Sequence, residues 1–390
     1  MLGVPDEAAE ALCLAGVVSG RPVSPGRWEL SDNGLVGVVQ VGEVTVWVRP
    51  KLDIARLVWL IGYAKSPGWR AGDDPVRLGW ADDLVPALAD AMASQAERAL
   101  ATGLLQGYQE LDDELAVLRG RFRAHDQLGR RHGIALPLLV RYDDYTVDTT
   151  ENRVLRGAVE RLLRLPGVSQ GARVRLLALR HRLNEVSALA PGGKVPDWTP
   201  SRLNARYHDA LWLAELVLGG SSVEHLPGAL RINGFLVDMA KVFEDFVTSA
   251  LSASLVPFGG TCRAQDRWWL DVGESIALRP DLVWYRDGRP MAVVDAKYKA
   301  QHHDGFPNPD VYQVLAYATA LGLPRGELVY AKGNEPARSW TVRNAGVTIT
   351  AHTLDLAAPP AGVLGQVGRL ARHIALSSGA VRAGGSPTEG

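Results

Sequence analysis

The chain has 390 residues, 47% of them hydrophobic and 22% charged, and a formal net charge of −1. That length exceeds one ordinary hydrophobic core and predicts two or three domains, and the composition is that of a soluble globular protein rather than a fibrous or disordered one. A near-zero charge gives no global field to attract nucleic acid, so any DNA contact must come from local basic clusters or from a partner. Cys13 and Cys262 fit a reducing compartment as small buried hydrophobes and give neither a disulfide framework nor a zinc site. Asp6, Glu7 and Glu10 interrupt the N-terminal apolar residues, and no apolar run reaches membrane-spanning length, so the expected location is cytoplasmic, with no membrane contact.

Residues 1–110 read as an N-terminal α+β domain. A short helical pattern is followed by a strand pair over Val36 to Val48 turning near Gly42, and Arg49-Pro50-Lys51 ends the second strand. Leu52 to Ala64 and the Ala-rich stretch Leu84 to Leu105 have helical spacing. Residues 111–222 read as a charged segment followed by a helical connector. Arg119, Arg121, Arg123, Arg130, Arg131 and Arg141 are interleaved with Glu110, Asp112, Asp113, Glu114, Asp143 and Asp144. Such a cluster can hold DNA phosphates, meet a partner, or form salt bridges with the acidic runs beside it. Helices are predicted over Thr149 to Leu165, with Thr150 as the capping residue, over Val174 to Ala188 and over Leu203 to Leu218. Ala190 to Val195 reads as a loop, and Gly219-Gly220-Ser221-Ser222 as a hinge.

Residues 223–375 predict an α/β domain with a mixed sheet flanked by helices. Phe235 to Leu251 has helical spacing, with Leu236, Ala240, Phe243, Val247 and Leu251 on the packing face and Glu244 at its border. Leu282 to Tyr285 and Met291 to Tyr298 read as strands joined by the hairpin turn Asp287-Gly288. Asp310 to Leu321 is a second helix, with Gln313 and Tyr317 on one stripe. Trp340 to Val342 and Val347 to Thr353 extend the sheet, Ala361 to Ala375 is a last helix, and residues 376–390 form a small, polar, disordered tail.

Charge on the second strand of that hairpin points to chemistry. Side chains two apart on a strand share a face, so Asp295 and Lys297 lie together, and Asp281 lies just ahead of the first strand. Two carboxylates suit Mg²⁺, and a nearby lysine can orient an attacking water. The same residues can equally serve as a turn cap and a strand-edge Asp–Lys pair. Other chemistries lack their motifs. Gly192-Gly193-Lys194 is followed by Val195 where a phosphate loop needs Ser or Thr, so this chain binds no nucleotide itself and nucleotide hydrolysis must lie on another chain. His302, His303 and Asp304 have no second cluster at ligand spacing and read as a loop. Trp268 and Trp269 can stack on bases, but packing in the core or sheet is the simpler reading.

Pro280-Asp281, a spacer and then Asp295-x-Lys297 resemble the PD-(D/E)xK nuclease core. The segments NGFLVDMAKVFEDFV, LRPDLVW, VVDAKYK and DVYQVLAYA, in that order, resemble the McrC family, the nuclease subunit of the McrBC modification-dependent restriction system. The resemblance continues upstream through VWVRPKLDIARLVWLIGYA, LRGRFRAHDQLGRR and RYDDYTVDTTENRVLRGAVERLL, and so covers Val36 to Lys332. It implies a C-terminal PD-(D/E)xK endonuclease domain in which Glu244, Asp281 and Asp295 hold Mg²⁺, with Mn²⁺ able to substitute. Lys297 would position the water, and Gln313 would complete the motif. It also implies that the partner is a hexameric AAA+ GTPase of McrB type that recognises and translocates modified DNA, and that the N-terminal region engages this motor. Two other functions fit the same residues: a non-catalytic adaptor that activates a AAA+ NTPase, and a stand-alone DNA nuclease.

Overall fold

The computed structural model describes residues 2–65, 83–130, 136–190, 193–220, 232–300, 308–332 and 337–379. The chain is α/β and divides into two compact units, Met1–Leu84 with Ser222–Gly390, and Val85–Ser221.

The first unit begins with β1 (Leu2–Gly3), α1 (Asp6–Leu14), β2 (Val18–Ser24) and β3 (Arg27–Asp32), whose strands form a small sheet in the order β1-β3-β2. Asp6 ties α1 to this sheet, its Oδ1 accepting from Trp28 Nε1 at 2.8 Å. The expected strand pair follows as β4 (Leu35–Val41) and β5 (Val44–Val48), and then α2 (Ile54–Lys65).

The second unit opens with α3 (Leu84–Ala99), shorter than the helix expected to reach Leu105. Its charged segment is largely sheet: β6 (Gly107–Leu115), β7 (Arg121–Phe122), α4 (Ala124–Arg130) and β8 (Leu138–Thr146), with strand order β6-β8-β7. Three of its arginines are committed to salt bridges. Arg119 meets Asp144 at 2.6 Å, Arg123 meets Asp126 at 2.6 Å, and Arg141 meets Asp112 at 2.6 Å. The helices α5 (Thr150–Arg164), α6 (Gln170–Arg182) and α7 (His208–Gly219) complete this unit. The cap of α5 is Thr149 rather than Thr150, its side chain accepting from the Asn152 N–H. Gly219 is the last residue of α7, and the other half of the expected hinge, Ser221 and Ser222, lies outside the described residues.

The chain then returns to the first unit. Residues 235–238, expected to begin a helix, belong instead to β9 (Ile232–Asp238), which pairs antiparallel with β4. The apolar run Phe235, Leu236, Val237 is buried throughout, and such a run reads the same in a buried strand as in a helix. Asp238 then caps α8 (Met239–Leu255), accepting from the Ala240 N–H at 2.8 Å. Trp59 and Tyr63 of α2 pack on Phe246 of α8, with ring centroids 5.2 and 5.6 Å away. These contacts differ from the expected division at residues 110 and 222: Met1–Leu84 shares a sheet and a helix pair with the C-terminal part, and Val85–Ser221 is the separate unit.

The remaining elements are β10 (Thr261–Ala264), β11 (Trp268–Trp269), β12 (Ala277–Leu278), β13 (Leu282–Arg286), β14 (Arg289–Ala300), α9 (Asn308–Ala320), β15 (Arg325–Lys332), β16 (Arg338–Thr341), β17 (Thr348–Thr353) and α10 (Pro360–Ser377). A six-stranded mixed sheet runs β10-β13-β14-β15-β17-β16, parallel at β14–β15 and β15–β17 and antiparallel elsewhere. Val293, Leu328, Tyr330 and Ile349 pack with Val314 and Tyr317 of α9 on one face. On the other face Phe243 of α8 meets Tyr298 of β14. Trp268 packs against the α9 face and donates to Tyr285 Oη at 3.0 Å, which is the packing role. Leu376 and Ser377, assigned to the tail by sequence, finish α10, while residues 380–390 lie outside the described residues, as do His302, His303 and Asp304. Among the described residues no helix is long and apolar enough to cross a membrane.

Candidate functional site

The hairpin β13–β14 builds the site. Asp287 and Gly288 at its tip have φ values of 51° and 73°, the left-handed pair of a tight two-residue turn. The turn pairs Arg286 with Arg289, and a bulge at Met291 then shifts the register by one residue, so that Leu282 lies opposite Val294 and Asp281 comes level with Asp295. Because β13 starts only at Leu282, the Ala296 N–H is left to the Asp281 side chain, which accepts it at 2.8 Å through Oδ2. Asp281 Oδ1 accepts from Gln265 Nε2 at 2.8 Å. Both aspartates are buried, Asp295 to 1% exposure.

Asp295 and Lys297 alternate with Ala296 and share a face, and Lys297 Nζ sits 2.6 Å from Asp295 Oδ2. Glu244, half-buried on α8, completes the group and acts electrostatically on both Asp295 and Lys297. Burial pushes the Asp295 carboxyl up to about 7, the negative charge of Asp281 adds to that rise, and Lys297 opposes it. Glu244 is raised for the same reasons in the same order, burial and then Asp281. Burial pulls Lys297 down, but the three carboxylates outweigh it and hold the ammonium above its ordinary value.

The residues predicted from sequence therefore converge, with one distinction. Glu244, Asp281, Asp295 and Lys297 form one cluster. Gln313 on α9 reaches it indirectly, donating at 2.7 Å to Tyr317 Oη, which in turn donates to the Arg279 carbonyl at 3.3 Å. One participant carries no sequence pattern. Gln265 precedes Asp281 by sixteen residues in a turn where its φ is 50°, and only the closed loop places its amide on the carboxylate. Asp310, at the start of α9, is buried and accepts from Tyr330 Oη at 3.1 Å on the same sheet face.

The donor set suits a divalent ion. With all three carboxylates ionised they would outnumber the Lys297 ammonium by two charges, which a divalent ion would balance. Asp295 Oδ2, though in ion contact with Lys297, accepts no hydrogen bond of good geometry. All donors are oxygens, which favours Mg²⁺ over softer metals.

A family model described as "McrBC 5-methylcytosine restriction system component" matches residues 30–331. The chain belongs to this family. The McrC resemblance carried by Val36 to Lys332 holds accordingly at the level of the family. No curated protein matches the chain. In a refined half-complex from a tetradecameric assembly of Thermococcus gammatolerans McrB AAA+ hexamers with bound McrC, one chain has the same fold. Its TM-score is 0.59 at 19% identity, over 92% of this chain and 86% of that one. The cryo-EM structure of the Thermococcus gammatolerans McrBC complex matches at a TM-score of 0.41 and 22% identity, over 61% of this chain and 70% of that one, too low to weigh. Within this McrBC-family chain, Glu244, Asp281, Asp295 and Lys297 all lie inside the matched residues.

Proposed function

We propose that this chain is the Mg²⁺-dependent DNA endonuclease subunit of a modification-dependent restriction system, built on a PD-(D/E)xK core and working with a hexameric AAA+ GTPase of McrB type. The observation that carries the reading is the convergence of Asp281, Asp295, Glu244 and Lys297 from three separate elements onto one end of the hairpin. A turn cap and a surface ion pair would need neither the burial of both aspartates nor a third carboxylate raised beside them.

Asp281, Asp295 and Glu244 would hold Mg²⁺. When bound, the ion stabilises the negative charge that develops on the phosphoryl oxygens during hydrolysis. Asp281 is fixed for this task by the Ala296 N–H and by Gln265, so its carboxylate is oriented before any ligand arrives. Lys297 offers three donors and no acceptor, and holds an attacking water or a non-bridging phosphate oxygen in place. Gln313 and Tyr317 buttress the floor of the site through the Arg279 carbonyl, two residues before Asp281.

The partner enters from two directions. A net charge of −1 and the commitment of Arg119, Arg123 and Arg141 to carboxylates leave little field to capture DNA unaided. The solved assembly that shares the fold contains McrB hexamers with bound McrC. The test is Mg²⁺-dependent cleavage of methylated and unmethylated plasmid by the purified chain, alone and with a McrB-type NTPase. Cutting only with partner, nucleotide and methylation supports the proposal; equal cutting by the chain alone would make it a stand-alone nuclease, and no cutting under any condition would leave an adaptor.

A further inference from the structure

A second cluster of ligating side chains sits on the sheet face opposite Asp295. Glu327 lies on β15, between β14 and β17, and pairs in register with Val294 and Thr350. Its neighbour Leu328 faces α9 with Tyr330, so Glu327 points the other way. It is 2% exposed. A carboxylate buried so deeply on a central strand needs a hydrogen-bonding or ligating partner beside it. Two imidazoles are there. His352 on β17 places Nε2 2.7 Å from Glu327 Oε2, and His373 on α10 sets its ring 5.2 Å from that of His352 at an interplanar angle of 65°. One ligand atom from each of the three residues lies within 4.8 Å of the other two. A cleft of about 300 Å³, lined by His352, Gln366, Arg369 and His373, opens beside them. Gln366 clasps the backbone of Asp355, accepting its N–H at 2.9 Å and donating to its carbonyl at 3.3 Å, which fixes α10 against the end of β17.

We propose that Glu327, His352 and His373 form a second cation site, for a transition-metal ion of the zinc class, with its fourth position open to the cleft. Two imidazoles and one carboxylate are a donor set that suits Zn²⁺, Co²⁺ or Ni²⁺ and not Mg²⁺. Tetrahedral bonds of about 2.0–2.1 Å put donor atoms roughly 3.3 Å apart. Glu327 and His352 need to part by about half an ångström to meet that spacing, and the exposed His373 side chain is free to close on them. Arg369 lines the same cleft and favours an anion or water in the fourth position. The ion would bind β15, β17 and α10 together, tying the last helix to the sheet. It is separate from the oxygen-donor cluster of Asp281 and Asp295, and the inference does not depend on the nuclease reading.

The experiment is a Co²⁺ titration of chelator-stripped full-length protein carrying Asp295→Asn, which cripples the oxygen site, followed by visible absorption and by Zn²⁺ competition. The expected result is one equivalent of Co²⁺ with the intense visible bands of four-coordinate geometry, displaced by Zn²⁺. Adding His373→Ala should abolish the bands and weaken binding at least tenfold. Zn²⁺ should also raise the melting temperature of the parent and not of the His373→Ala protein. His373 is exposed, so equal metal-free melting temperatures will show that the variant folds. The absence of bands, or bands unchanged by His373→Ala, overturns the proposal and leaves a Glu327–His352 hydrogen bond with a second histidine edge-on to it.

Discussion

Asp295 sits in an environment that disfavours its ionised form. Its carboxyl is raised to about 7, while an unfolded chain titrates aspartate near 4. Between those values the folded protein holds a proton that the unfolded chain has released, so stability falls as pH rises through that window and levels off above it. In EDTA, the wild-type melting temperature should therefore decline from pH 5 to pH 8, and Asp295→Asn should flatten the decline. Across this pH range the effect is at most about 3 kcal/mol, shared among the coupled carboxylates. Lys297, held above its ordinary value, contributes stability that is lost only at more alkaline pH, outside this range. The same proton must leave before the cluster can hold a cation. Mg²⁺ or Ca²⁺ affinity, measured by calorimetry, should accordingly rise between pH 6 and pH 8, and a pH-independent affinity would place the ion elsewhere. Asp295 and Lys297 were legible because strand alternation fixes them on one face, and the hairpin turn brings Asp281 near them, but its level with Asp295 depends on a bulge at Met291 that no local pattern announces. Gln265 was not legible, because its place depends on a loop closing over sixteen residues.

At the scale of elements, two positive-φ glycines separate close approach from backbone conformation alone. Gly37 of β4 has a φ of 146°, and a Cβ there would lie 2.0 Å from the Phe235 carbonyl oxygen of β9. Gly37→Ala should destabilise the first unit by about 1–3 kcal/mol in urea unfolding, through strain and a weakened β4–β9 pairing. Gly288, at φ 73° in the hairpin turn, has open space around its Cβ position, so Gly288→Val should cost only the conformational penalty of about 1–2 kcal/mol. The helix caps differ from expectation for a related reason. A helix is signalled by apolar periodicity, but Thr149 and Asp238 start theirs by hydrogen bonds that periodicity does not contain. The strand at Ile232–Asp238 was hidden because its partner, β4, lies almost two hundred residues earlier in the chain. The charged sheet β6-β8-β7 was hidden because its alternating carboxylates and arginines pair across strands, where sequence reads them only as a charge run.

For the whole molecule, neutral charge and paired arginines argue that DNA is delivered rather than captured. The isolated chain should bind duplex weakly, with a shallow dependence of log affinity on log salt; a slope as steep as about −6 would reveal a basic surface that these contacts do not account for. The division into units followed contacts that no local pattern announces, since Met1–Leu84 joins the C-terminal part through one strand pairing and one helix pair. The central claim is that the Asp281, Asp295 and Lys297 cluster cuts DNA for a partner that does the recognition. The most direct test is single-turnover cleavage of methylated DNA by the chain with its AAA+ partner, nucleotide and Mg²⁺, comparing wild type with Asp295→Asn while partner NTPase turnover is followed in the same reaction. The account predicts cleavage reduced by about 10³-fold or more with NTPase stimulation intact. Cleavage by Asp295→Asn at the wild-type rate would contradict it.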